Sequence, residues 1–141
     1  MDPLPKSDYD SMDTESLLQL AREANDNMQQ TEALEILKFV QVKHPSLPQL
    51  YELMAEAYTF LEDEQNASIA LHKLIEIAPN NYPLQYFQLA QLYEGNESVH
   101  FYKIGISLLE SSSESLTEEL KSKLSSAYSS IAEIYMTDLW Y

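Results

Sequence analysis

The stretch YELMAEAYTFLEDEQNASIALHKLIEIAP, residues 51–79, decides the fold. Tyr51, Met54, Ala55 and Tyr58 recur at helical spacing, so they share one face of a helix. The acidic turn Glu62-Asp63-Glu64 follows. A second helix carries Ala67, Leu71 and Leu74, and Pro79 stops it, because proline cannot continue a helix. Such a hairpin cannot bury its apolar face alone and needs neighbours of the same kind.

The chain supplies them. Leu17, Leu20, Ala21 and Ala24 fall on Tyr51, Met54, Ala55 and Tyr58. Ala33, Leu37, Val40 and Pro45 fall on Ala67, Leu71, Leu74 and Pro79, and one constant offset relates all eight pairs. A third copy starts at Tyr86 with Leu89, Ala90 and Tyr93, one place later than that offset predicts, so Asn80-Asn81-Tyr82-Pro83 holds an extra residue. Its turn, Glu94-Gly95-Asn96-Glu97, has lost four residues, so that Ser98, Tyr102 and Gly105 take the places of Ala67, Leu71 and Leu74. Gly105 costs its helix about 1 kcal/mol relative to alanine; it reads either as close helix packing beside Tyr102 or as a tolerated weak spot. Tyr128, Ile131, Ala132 and Tyr135 repeat the first-helix pattern a fourth time.

Boundaries follow from local signals. Asp13 or Thr14 caps the first helix, and Pro48 suits the first turn of the third. Ser115 with Glu118 reads as a capping box. The expected organisation is a mobile tail over 1–12, hairpins at about 14–47, 48–81 and 82–112, and a last helix over 116–138. Only two glycines are present and the six prolines sit at segment ends, which suits an all-α chain with short turns.

Composition excludes several function classes. There is no cysteine, hence no disulfide framework, thiolate chemistry or cysteine-based zinc site. The start MDPLPKSDYDSMDTE has no basic-then-apolar signal segment, and no apolar run is long enough to span a membrane. The expectation is an intracellular protein, cytoplasmic or nuclear, and the sequons at Asn66 and Asn96 read as chance. Net charge is −15, from 23 acids against 8 bases. Nucleic acid and anionic membranes need cations that this chain lacks. A basic partner is favoured and would associate fast at low salt; plain solubility is the alternative reading of the acidity.

Catalytic chemistry is not legible. His44, His72 and His100 are evenly spaced, but at an interval shorter than the repeat, so they do not converge on a metal. The serines at 111–113 and 125–130 have no base beside them, and no glycine-rich phosphate loop exists. Glu118-Glu119 reads as solvated helix surface. No catalytic, cofactor or metal site is expected.

The pattern bulky-x-x-Leu-Ala-x-x-Tyr, then Ala, a bulky residue and Pro, at a period of about 34 residues, resembles the tetratricopeptide repeat (TPR). The resemblance covers Asp13 to Tyr141 and implies an all-α helical-hairpin solenoid of about three repeats plus a C-terminal helix. Within it, the acidity, the turn LYEGNES, the helix FYKIGI and the closing AEIYMTDLW resemble the TPR chaperones that escort a newly made, basic, large-subunit ribosomal protein. The chain departs from them at Tyr135, where they have Trp, and at Trp140, where they have Cys. They are also longer, so this chain would be an N-terminal part of one or a shortened relative.

In proteins of this kind the first helix of each repeat lines a concave groove. The residue after the first bulky site and the one four later share that face. The pairs are Leu18 and Arg22, Glu52 and Glu56, Phe87 and Gln91, and Ser129 and Glu133, with Phe60, Glu94, Met136 and Asp138 further round. The expected partner-binding residues are therefore the acids Glu52, Glu56, Glu94, Glu133 and Asp138, the apolar grips Phe60, Phe87 and Met136, and Gln91. Leu18, Glu52 and Glu56 stand where a carboxylate-gripping TPR needs cations, so that type is disfavoured. A basic protein or peptide client, such as a ribosomal protein, is the expected partner, held by a chaperone that shields its charge. The alternative is a structural scaffold subunit. The apolar end, Met136, Leu139, Trp140 and Tyr141, means either a piece of a longer array or an end that docks another helix, a second copy being one candidate.

Overall fold

The computed structural model describes residues 6–112 and 115–137. These are all-helical: a 3-10 helix at Lys6–Ser11 and seven α-helices, with no strand among them. The helices are α1 (Thr14–Asp26), α2 (Gln30–Lys43), α3 (Pro48–Phe60), α4 (Glu64–Ile77), α5 (Pro83–Leu92), α6 (Gly95–Glu110) and α7 (Glu118–Thr137). They form two compact units, Met1–Ile77 and Ala78–Tyr141.

In the first unit α1 pairs with α2, α3 pairs with α4, and α3 also packs on both α1 and α2. Asp13 caps α1 by accepting from the Ser16 backbone N–H, and Asp63 does the same for α4 through Asn66. The two hairpin turns are built alike. Met28 and Glu62 both adopt left-handed backbone, with φ of 61° and 60°. Around them Gln29 N–H donates to Ala24 C=O and Asp63 N–H to Tyr58 C=O, while Met28 and Glu62 bond back to Asn25 and Thr59. This is the six-to-one, five-to-two closure that satisfies the last carbonyls of a helix. It lets α2 and α4 double back after three residues each. The core is Leu37, Val40, Leu50, Leu53, Leu71 and Leu74, all fully buried. Asn25 is buried too, and its amide donates to the Leu53 carbonyl at 3.3 Å, tying the end of α1 to α3.

The N-terminal segment corrects one expectation. Lys6–Ser11 is not a free tail: Tyr9 is 3% exposed and packs edge-on against Phe39 at 5.5 Å. An aromatic ring beside the uncovered side of α2 hides area that an extended tail would leave wet.

In the second unit α5 pairs with α6, and α7 packs on α6. The core gathers Phe87, Ala90, Tyr102, Ile106, Leu109 and Ala127. Gly105 marks close helix packing. A Cβ there would lie 2.5 Å from Phe87 Cε1 and 2.9 Å from the Pro83 carbonyl oxygen. The α5 backbone and the Phe87 ring occupy that space. Ser98, also buried on α6, donates its hydroxyl to the Ala90 carbonyl at 2.7 Å.

Tyr51 and Tyr86 hold equivalent places in their own units. Each is buried and donates its hydroxyl to the carbonyl of the proline that ended the preceding helix, Pro45 and Pro79. The fourth copy of the pattern does not follow. Leu120, Leu124, Ala127, Ile131 and Ile134 turn toward the core, while Tyr128 and Tyr135 stay 49% and 44% exposed and Ala132 is exposed. Tyr128 is not a filler between helices; its hydroxyl donates to Glu110 at 2.9 Å. Five apolar residues at spacings of three and four outweigh two tyrosines, and that stripe sets the helix rotation. The start of α7 is also later than 116. Thr117, not Ser115, is its cap, accepting from the Leu120 N–H.

Gly105→Ala tests the α5–α6 contact. Alanine favours the helix by about 1 kcal/mol, but overpacking against backbone and a buried ring costs roughly 1–3 kcal/mol. The expected result is a net loss of stability in denaturant unfolding. A stabilised variant would show that the close approach is not required.

Candidate functional site

Two surfaces gather the residues that could meet a partner, one in each unit. In the first, α1 and α3 lie side by side and present Arg22 and Asp26 next to Glu52 and Glu56. Helical residues four apart stand one above the other, so two short rows of charge face each other across the pair.

Glu52 is unusual within this row. The place after the first bulky residue is Leu18 in α1 and Phe87 in α5, each nearly buried at 9% and 6% exposure. Glu52 sets a carboxylate in that same place and is half-buried. Burial pushes its carboxyl above the ordinary range, and Arg22 pulls partly the other way. Glu56 is more exposed, yet it too is raised, first by desolvation, then by repulsion from Asp26 and Glu52, again offset in part by Arg22. The raised direction comes first from desolvation, which disfavours the charged form of a carboxylate.

Arg22 does not neutralise the row. Its guanidinium donates to Gln19 at 3.3 Å and forms no ion pair among the described residues. Phe60, 55% exposed, ends α3 on the last turn beyond Glu56 and adds an apolar group. The surface is thus a short acidic face with one cation outside any ion pair among the described residues and an aromatic neighbour.

The second unit has a different site. A recess of about 300 Å³ opens between α5 and α7. Phe87 and Tyr102 floor it, their rings 5.9 Å apart. Gln88 and Gln91 line it from α5, and Lys123, Ser126 and Ser130 from α7. No carboxylate lines it among the described residues.

The sequence-predicted residues therefore separate. Glu52, Glu56 and Phe60 come together on α3. Phe87 is not an exposed grip; it is core, because Gly105 leaves room for its ring. Gln91 is exposed on the recess wall, and Glu94 is exposed in the turn before α6. Glu133 and Met136 are exposed on α7, Met136 at 74%, but neither lines the recess. Asp138 lies outside the described residues. Leu18, expected in the groove beside Arg22, is buried. Asp26 was missed, although it stands four residues after Arg22 and the same spacing rule would have found it. Lys123, Ser126 and Ser130 were missed because the tyrosine pattern assigned α7 the wrong face.

Among the described residues, no group of three or more His, Asp or Glu is placed to hold a metal ion, and no helix is long and apolar enough to cross a membrane.

No protein-family model matches the chain. Over 117 residues it is 33% identical to the probable assembly chaperone of rpl4 from Schizosaccharomyces pombe (strain 972 / ATCC 24843), a match that takes in 77% of this chain and 35% of that protein. The chain thus spans about a third of the length of the curated relative it matches.

Proposed function

We propose that this chain is a protein-binding module of the TPR type, and that the acidic face on α1 and α3 shields a lysine- and arginine-rich segment of a client protein. The observation that carries this reading is Glu52, a carboxylate held half-buried and raised where other hairpins place Leu18 or Phe87. A charge that the fold disfavours is retained when a partner uses it, and functional surfaces commonly hold such groups.

The TPR assignment draws on the constant offset between the first two hairpins, on the matched left-handed turns at Met28 and Glu62, and on the repeated tyrosine-to-proline-carbonyl bond of Tyr51 and Tyr86. The relative's name gives its client as rpl4. Carried to this chain, the client is a basic ribosomal protein and the role is chaperoning of its assembly in the cytoplasm or nucleus. The mechanism is binding, not catalysis. A cationic segment laid along α3 replaces the missing positive charge beside Glu52 and Glu56 and joins Asp26. Phe60 receives the aliphatic stem of a long basic side chain, as lysine and arginine bury their methylenes while keeping the charge exposed. Masked in this way, the client's cations no longer attract stray polyanions.

Attraction between charges at a partly exposed surface is screened by salt. The affinity for a Lys/Arg-rich peptide should fall about tenfold or more from low to high salt by titration calorimetry. Reversal of both acids, Glu52→Lys with Glu56→Lys, should lower it about as far. An affinity indifferent to salt and to the double variant would remove charge masking from the mechanism.

Glu52→Leu separates function from stability. It places in α3 the residue type that α1 already has there, so unfolding stability at neutral pH should rise by about 1 kcal/mol. Affinity for the basic peptide should fall at the same time. A variant that loses stability, or that binds unchanged, would contradict the reading of Glu52.

Binding should also be linked to protons. The free protein holds the Glu52 and Glu56 protons to higher pH than an unfolded chain does, so folding binds protons in the window just above the ordinary carboxylate value. Their contribution to stability is therefore greatest below that value and is lost as pH rises through the raised folded values. A bound cation favours the ionised forms and lowers both pKa values. Complex formation should release protons at mildly acidic pH, and affinity should climb with pH before levelling off near neutrality. Calorimetry in buffers of different ionisation enthalpy reads this directly; proton uptake on binding would have the wrong sign.

A further inference from the structure

We propose that Arg22 is a tethered competitor of the client: its guanidinium shares the acidic face with Asp26, Glu52 and Glu56, and so limits how tightly a basic segment is held there. This role presupposes the basic-client reading of the face and adds to it a residue that works against binding. Packing does not call for a cation at this place. The same place is Glu56 in α3 and Gln91 in α5, and all three side chains are exposed. Because α1 packs on α3, an arginine here stands against the acids of the neighbouring helix.

Arg22 acts on the face through its field and not through an ion pair. It draws the carboxyls of both Glu52 and Glu56 back toward their ordinary range, yet it forms no ion pair among the described residues. The guanidinium is turned back along α1 instead, where it donates to Gln19 Oε1 at 3.3 Å. Gln19 in turn donates to Glu23 Oε1 at 3.3 Å, which leaves its own oxygen facing Arg22. Asp26, one turn further on, is a poor alternative partner, because a cation four residues before an acid pairs less well on a helix than the reverse order.

Two arrangements of one side chain therefore compete. With the guanidinium on Gln19, the acids are open to a client. With it turned toward the glutamates, they are screened, and an incoming lysine or arginine is repelled. The bond to Gln19 lies at an exposed surface, where polar pairs hold a long side chain only weakly, so neither arrangement is locked. Because the competitor belongs to the chain, its effective concentration is set by its tether and does not fall on dilution. It lowers affinity by a constant factor, which suits a shield that must later give its client up.

The test titrates the full chain by calorimetry, at physiological ionic strength, with the blocked peptide Ac-Gly-Lys-Arg-Lys-Gly-Lys-Arg-Lys-Gly-NH2. Arg22→Gln should bind it about threefold to fivefold tighter, the range of a partly exposed charge pair. Arg22→Lys keeps the charge and should stay near wild type. Lys38→Gln removes the same charge from an exposed place on α2 that does not act on Glu52 or Glu56. It should change affinity by less than about twofold, because exposed charges farther apart are screened. In the free protein, NMR titration should show Glu52 and Glu56 taking up their protons at higher pH in Arg22→Gln than in wild type, a readout that needs no client. An Arg22→Gln variant that binds no tighter, a Lys38→Gln variant that gains as much, or unchanged carboxyl titrations would each overturn the competitor. The Glu52→Lys, Glu56→Lys double variant keeps the two readings apart. If it binds like wild type, or if wild type does not bind the peptide, the basic-client reading falls and the competitor with it. If it binds weakly while Arg22→Gln gains nothing, the competitor falls alone.

Discussion

Paired helices in this chain approach closely because small residues stand where they meet. Ala21, Ala33, Ala55, Ala67 and Ala90 are all within 2% of fully buried, and Gly105 takes the same part in α6. A larger side chain at any of these would force the backbones apart. The leucines that fill the remaining space, such as Leu37, Leu53 and Leu71, would then lose their packing contacts. Turn geometry depends on the same spacing. Met28 and Glu62 accept a left-handed backbone that costs roughly 1–2 kcal/mol per residue, because the helices they join are already held by the alanine contacts.

With that frame fixed, the surface between the packing positions is free to vary, and it varies in chemistry. The place after the first bulky residue is apolar in α1 and α5 and acidic in α3. Leucine or phenylalanine there adds to the core. Glutamate there subtracts from it and creates a charged face instead. Under the proposed function, a basic client would supply the charge that Arg22 alone does not.

Much of the fold was legible in the residues. The recurrence of one apolar pattern at a near-constant offset located three hairpins. Asp13, Pro48 and Gly105 each announced a local need that the structure meets with a cap, a first turn and a close contact. The candidate site was legible only in part. Glu52 and Glu56 could be singled out as candidates because a strict repeat tells which positions packing requires, leaving the others open. Phe87 was misread as surface because spacing cannot see that Gly105, across the hairpin, makes room for a ring.

The sequence by itself determined that the chain is helical, where the hairpins turn, and that acid collects on the first helix of the middle copy. These are local properties, fixed by periodicity, turn chemistry and composition. Only the tertiary structure decided the rotation of α7, the burial of Tyr9 on Phe39 and the recess around Lys123. Each is a competition between faces for the same neighbour. On α7, Leu120, Leu124, Ala127, Ile131 and Ile134 offer more apolar area than Tyr128 and Tyr135, and the larger stripe wins the core. That rotation exposes the tyrosines and carries Lys123 to the recess, an outcome that no residue of α7 specifies alone.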